Sequence, residues 1–368
     1  MHRKKILEKN IGLETYVNGT ESHEVISPCV NGGTEDNVKE QTANEEQRFS
    51  VRTDLALEAR DLVGDERTEI SGVRYSVRRE GVYEVTISVV EVLSEEGEKA
   101  MGKPKGRYVT LECPELKENI LEAHQEVMEI LTEELRNMIP LKDDTKTLVI
   151  GLGNRQVTAD ALGPLAVSGL LVTRHLCAVA PHELKERIRP VSAIAPGVMG
   201  QTGVETGELV AGLTDKIKPD VVIAIDALAS RRTSRVNTTI QIADTGINPG
   251  AGVGNFRQEL SSKTLGVPVI AIGVPTVVDA ATIVSDTIEY LQDTVKTQGG
   301  IQMHIFQNFS EQEKYQLIQE VLKPNIGDLY VTPKDMDAVA QRLGNVIAGA
   351  LNMVLHRLEP EELKEYLY

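Results

Sequence analysis

The sequence predicts an α/β fold: a mostly parallel or mixed sheet covered by helices on both faces, with a β-rich addition before it and a helical part after it. Two observations predict it. From Thr147 onward, short runs of Val, Ile and Ala alternate with stretches of helical periodicity. Strands that are apolar throughout are buried on both faces, and helices between them make the sheet mostly parallel. Before Thr147, alternating β-branched segments mark a separate strand-rich region.

Taken in order, Asn18 to Gln47 is polar, acidic and aperiodic, and is expected to be disordered. In "RFSVRTDLALEARDL" (Arg48 to Leu62) aliphatic residues alternate with single acids, which reads as a first strand or helix. "GVYEVTISVVEV" (Gly81 to Val92) and, after the turn-like "GKPKG", "GRYVTLECP" (Gly106 to Pro114) read as strands. Glu115 to Met138 has helical spacing and stops before Pro140. The strands of the main sheet are "TLVIGLG", "RPVSAIAPG", "DVVIAIDA", "TTIQIADTG" and "VPVIAIGVP". Helices are expected over Leu162 to Leu176, Gly203 to Ile217 and Val278 to Val295. A charged helical region (Ser310 to Leu322) and a long helix (Lys334 to Leu358) close the chain.

Composition narrows the function. The 368 residues carry 39 basic and 55 acidic side chains, a net charge of -16. Such a surface repels phosphate backbones and anionic lipid, so neither direct nucleic-acid binding nor a membrane surface is expected. No apolar run approaches the roughly 20 residues that span a bilayer, and no secretory h-region follows the N-terminus. Cys29, Cys113 and Cys177 are scattered without a CxxC pair, which excludes a disulfide framework and a zinc knuckle and fits the reducing cytoplasm. The histidines form no metal-spaced cluster, so neither metal nor cofactor is expected; His175 reads as a core histidine on an apolar helix.

Chemistry is sought beyond the carboxyl ends of the strands. The first is followed by "GLGNRQVTADALGP", with Asp160 just ahead of a helix; the third ends at Asp226; the fifth leads to Asp279. A carboxylate at the end of a buried strand is costly unless paired, hydrogen-bonded or protonated. Two such acids at one sheet edge split their titration, one keeping its proton while the other ionises, as water activation and leaving-group protonation require. Asp160 and Asp226 are the candidate pair. Asp160 also reads as a helix N-cap, and Asp279 more simply as a cap, ranking third. "GLGN" lacks the third glycine of a dinucleotide fingerprint, and "PGAGVGN" lacks the Lys-Ser/Thr of a P-loop. Backbone N–H groups of these loops, around Gly151, Gly153, Asn154, Gly254 and Asn255, are offered as an oxyanion or substrate cradle.

Nine segments in order resemble the germination protease family: "RFSVRTDLALEARD", "KGRYVTLE", "GLGNRQVTADALGPLAV", "TRHL", "RPVSAIAPGVMGQTGVET", "IAIDALASR", "GVGN", "PVIAIGVPTVVDA" and "LYVTPKDMD". The resemblance runs from about Phe49 to about Arg357. It implies a homotetrameric, autoprocessing zymogen in the spore core that degrades small acid-soluble DNA-binding spore proteins. It further implies an atypical aspartic mechanism on Asp160 and Asp226, and a fold similar to hydrogenase-maturation peptidases. Substrates of the family are cut after an acid followed by an aliphatic residue, Ala, a spacer and an acid. Asp54-Leu55-Ala56-Leu57-Glu58 has that form, which sets the expected propeptide cut between Asp54 and Leu55. The division expected is a tail and pro-region over 1–54 and one catalytic domain over 55–368, its core about 146–300. Two alternatives stay open: a metal-dependent maturation-type peptidase using the same acids as ligands, and a non-enzymatic nucleotide- or protein-binding module.

Overall fold

The computed structural model describes residues 53–64, 68–177, 179, 181–250, 257–297 and 311–357. The acidic tail, Cys29, Gly254 and Asn255 lie outside them. The strands are β1 (Val73–Glu80), β2 (Val85–Val92), β3 (Gly106–Glu112), β4 (Thr147–Gly151), β5 (Val191–Ile194), β6 (Val221–Ser230), β7 (Thr239–Ala243), β8 (Val269–Asp279) and β9 (Tyr330–Val331). They form one nine-stranded sheet in the order β1-β2-β3-β7-β8-β6-β4-β5, with β9 added to β8. The β5-β4-β6-β8 part is parallel. The part from β8 through β7, β3 and β2 to β1 is antiparallel. The β-rich addition is therefore no separate layer, since β3 zips onto β7 with Tyr108 opposite Ala243 and continues the same sheet.

The longer helices are α1 (Ala56–Val63), α2 (Glu95–Met101), α3 (Leu121–Met138), α4 (Leu162–Ser168), α5 (Thr206–Ile217), α6 (Ala280–Thr297), α7 (Glu311–Ile326) and α8 (Met336–Leu355). Alternate residues of β6 serve opposite faces. Val221, Ile223 and Ile225 pack with Leu131 and Leu135 of α3 and Leu343 and Ile347 of α8. Val222 and Ala224 pack with Val210 of α5 on the other face. Each fully buried aliphatic side chain contributes about 1.5–3 kcal/mol, which is why these strands are apolar at every position. On that second face, α1 lies over the antiparallel half, with Ala56 and Ala59 against Val90, Val92, Tyr108 and Ala243. Arg60 is buried there with its guanidinium 3.8 Å from the Tyr75 ring centroid.

Four sequence expectations are corrected. Strand β1 was not anticipated because most of it is exposed and charged, so it has no apolar alternation. Residues 81–84 are a turn rather than strand, with Gly81 and Glu84 at positive φ (79° and 48°). The helix expected from Leu162 to Leu176 ends at Ser168, capped by Gly169, and His175 sits exposed in a turn beyond it. Helix α8 does meet the length and composition of a membrane span, with hydropathy 1.2, but 67% of that stretch is buried inside the protein as a core helix.

Candidate active site

The chain leaves β4 for β5 on one side and returns to β6 on the other, so the strand order reverses at β4. Helix α4, after β4, packs on the α3/α8 face and α5, after β5, on the opposite one. A crevice opens at the carboxyl ends of strands where this happens. Pairing of β4 with β6 stops at Gly151 opposite Ile225, which makes Asp226 the first residue of β6 beyond the end of β4. Asp226 is not the end of its strand, as expected, because β6 continues to Ser230 along β8.

Asp160 arrives from the loop after β4. The chain turns at Gly153 (φ +102°), where an added Cβ would lie 2.2 Å from the Asp160 carbonyl oxygen. The Asn154 N–H donates to that carbonyl at 3.0 Å and to Asp160 Oδ2 at 2.8 Å. The Thr276 hydroxyl donates to the Ala159 carbonyl at 2.7 Å and ties the turn to β8. Asp160 is thus no helix cap: Ala161 occupies the N-cap of α4 and makes no side-chain cap bond. Gly151 serves packing, since its added Cβ would lie 2.3 Å from the Gly163 carbonyl in the first turn of α4. Gly153 and Asn154 shape the loop around Asp160.

The two acids differ in environment, and the charge of Asp160 acts on Asp226. Asp226 is 6% exposed and accepts the Ala227 N–H at 2.9 Å. Burial, then the negative charges of Asp160 and Asp54, push its carboxyl well above the ordinary range. Asp160 is half-buried, and burial raises it against the lowering effect of the Asn154 N–H. Asp279 lies apart, at the end of β8. It accepts the Ala281 N–H at 2.8 Å and a Gln319 amide hydrogen at 3.3 Å, the capping role its sequence context suggested.

The segment Thr53 to Glu58 lies against the far end of β6 and against β7. Asp54 pairs with Ala229 of β6: its N–H donates to the Ala229 carbonyl at 3.4 Å, and its Oδ2 accepts the Ala229 N–H at 2.9 Å. Lys103 Nζ donates to the carbonyls of Thr53 (3.1 Å) and Asp54 (2.9 Å). Gln241 Nε2 donates to the Asp54 carbonyl at 3.3 Å while its Oε1 accepts the Ala56 N–H at 2.7 Å. Leu55 and Ala56 are fully buried. The Glu58 carboxylate, 1% exposed, accepts from the Ser230 hydroxyl (2.9 Å) and from the N–H groups of Arg231 (2.7 Å) and Arg232 (3.1 Å). The Arg235 guanidinium is 3.4 Å from it.

Sequence reading missed Lys103, Gln241 and the Glu58 socket. Gln241 left one signal, a lone amide between Ile240 and Ile242 in an otherwise apolar strand. Cys113 is fully buried and its thiol is pushed up to about 11, which disqualifies it as a nucleophile. Among the described residues no cluster of three His, Cys, Asp or Glu side chains is placed to hold a metal ion.

Comparison with known proteins bears on this site. The family model described as germination protease (peptidase A25) matches residues 52–298 and 294–367. A germination protease of Caldanaerobacter subterraneus subsp. tengcongensis is 50% identical over 324 residues, 87% of this chain and 99% of that one. The germination protease of Clostridium tetani is 47% identical over 87% of this chain and all of its own length (100%). That of Priestia megaterium is 43% identical over 86% of this chain and 96% of its own. Among solved structures, a [NiFe] hydrogenase maturation protease HycI from Thermococcus kodakarensis KOD1 is similar over 58% of this chain and 98% of its own, with TM-score 0.26 and 16% identity.

Proposed function

The chain belongs to the germination protease family and is an endopeptidase, and we propose that it is made as a zymogen that cuts itself between Asp54 and Leu55. In that reading the tail and pro-region are residues 1–54, and the mature domain, residues 55–368, works as a homotetramer in the spore core. Its substrates are the small acid-soluble proteins that bind spore DNA. One observation carries the reading. Asp54 is bound on both sides to Ala229, three residues beyond Asp226 on β6, and its charge acts on the Asp226 carboxyl.

The chemistry proposed is hydrolysis by an acid pair. Asp160, half-buried and steadied by one N–H, serves as the ionised base. Asp226, more deeply buried between two negative charges, holds the proton. A water oxygen bonds to the Asp54 carbonyl carbon while one water proton passes to Asp160. The C–N bond then breaks as the Asp226 proton goes to the Leu55 nitrogen. The proton on Asp160 passes back to Asp226 and restores the pair.

The test is to incubate the full-length protein at mildly acidic pH and identify the new N-terminus by mass spectrometry. Leu55 as the first residue, followed by digestion of an acid-soluble spore protein by the product, is the expected result. Asp160→Asn and Asp226→Asn should each remain folded and lose cleavage; activity retained in either removes that residue from the mechanism. Loss of activity with chelator and its return with a divalent ion would instead favour metal ligation by the same acids.

A further inference from the structure

We propose that Lys103 and Gln241 hold the carbonyl oxygen of the bond to be cut and stabilise the oxyanion formed there. The inference rests on the reading of Asp54 and Leu55 as the cut site, and it adds what the acid pair lacks, a destination for the developing negative charge. Both donors meet on one atom: Lys103 Nζ at 2.9 Å and Gln241 Nε2 at 3.3 Å from the Asp54 carbonyl oxygen.

The orientation of Gln241 follows from its second bond. The Ala56 N–H needs an acceptor, and Oε1 at 2.7 Å is that acceptor, so Nε2 is the end that faces the Asp54 carbonyl. One amide therefore spans the bond, taking the C=O before it and the N–H one residue after it. Register places this clamp well. Gln241 and Asp226 both lie opposite Gly273, one on each neighbouring strand, and leave the sheet on the same face.

Lys103 is half-buried; burial lowers its ammonium's pKa while the charges of Asp54 and Glu58 act to hold the proton on it. Its partners are the carbonyls of Thr53 and Asp54 and the negative charges of Asp54 and Glu58. A lysine drawn out of water needs partners for its charge. Here the partners straddle the proposed cut: Thr53 and Asp54 precede it and Glu58 follows it. Any foreign chain that takes the place of this segment must present the same groups: two successive carbonyls, an acid before the bond and a second acid four residues on. Lys103 thus also reads the substrate.

In the balanced step, water adds to the Asp54 carbonyl carbon and the C=O electron pair moves onto oxygen, where the ammonium and the amide N–H face it. Collapse restores the C=O and expels the Leu55 nitrogen, which takes the Asp226 proton. Removing one preorganised oxyanion donor typically costs on the order of 10²- to 10³-fold in rate.

The experiment follows self-processing of the full-length protein by intact mass, with melting temperature as the folding control. Lys103→Met and Gln241→Glu, the latter keeping the acceptor for Ala56 N–H and losing the donor, are each expected to slow the cut on the order of 10²-fold. Lys103→Arg should recover part of the Lys103→Met loss, and methylammonium should partly rescue Lys103→Ala, which a purely structural role would not permit. Wild-type cleavage giving Leu55, with Lys103→Met or Gln241→Glu processing within a few-fold of it, overturns the proposal. A wild-type product that starts elsewhere overturns the cut-site reading instead, so the two failures are separable.

Discussion

Asp226 and Gln241 flank Gly273 in register, one strand to each side of β8, and an added Cβ at Gly273 would lie 2.3 Å from the Leu228 side chain. The acid and the amide are thus fixed by the sheet itself rather than by a loop, and the glycine between them lets Leu228 fold across the gap. Backbone spacing sets the two strands about 10 Å apart, with the Leu228 side chain over the strand between them.

Asp226→Asn should be inactive yet more stable than wild type at neutral pH. The folded pKa of Asp226 is raised. As pH climbs from the unfolded value near 3.8, the unfolded chain loses a proton that the folded one keeps, so stability falls up to the folded pKa. Asparagine removes that loss. Thermal melts at pH 4 and pH 7.5 check it: the variant should melt above wild type only at the higher pH.

Glu58→Ala should stop self-processing and cost about 3 kcal/mol, because it leaves the Ser230, Arg231 and Arg232 donors and the Arg235 guanidinium without their carboxylate. Glu58→Gln, which keeps an acceptor oxygen, should cost roughly half as much. Urea melts and the processing rate measure both.

Gly151→Ala should destabilise by about 2–3 kcal/mol, since the new Cβ meets the Gly163 backbone at 2.3 Å and must push α4 off β4. Gly212→Ala is the counterexample. Nothing lies within 4 Å of that Cβ, on the exposed side of α5, and loss of helix-interior glycine should stabilise by about 0.5–1 kcal/mol. Equilibrium unfolding of the pair separates contact from propensity.

His356, 3% exposed just after α8, should make the protein lose stability as pH falls from 6.5 toward 4. Its Nε2 contacts the Leu171 carbonyl at 3.0 Å and so carries the hydrogen, leaving Nδ1 to accept the Arg189 N–H at 3.4 Å. Burial lowers the ring pKa from 6.5 to about 4. In that window the unfolded chain binds the proton first, so the full effect, roughly 3 kcal/mol, is present above 6.5 and gone below 4. In His356→Gln the slope of stability against pH over this window should flatten.

The parallel half of the sheet was legible because burial on both faces imposes apolar residues at every position, as in Val221 to Ile225. Asp226 stood out against that run for the same reason. Strand β1 was not legible, since Arg74, Arg78 and Arg79 on a mostly exposed edge strand look like loop. Lys103 sits in "GKPKG", where a lysine reads as solvated, and only the fold brings it to residues 53 and 54. Asp160 stood out by its place before a helix, but its bond from the Asn154 N–H was not legible, because the turn that makes it depends on Gly153 at positive φ.

The clamped carboxylate of Glu58 has a consequence for turnover. Under the proposed cut, residues 55 onward stay joined to the enzyme, and the contacts of Glu58 with Arg231 and of Arg60 with Tyr75 lie on that retained side. A tethered product of this kind occupies the cleft at an effective concentration in the millimolar range. A free substrate competes poorly with it. In the proposed scheme the cut end therefore competes with substrate for the cleft, the more so the more firmly Glu58 and Arg60 hold α1 in place.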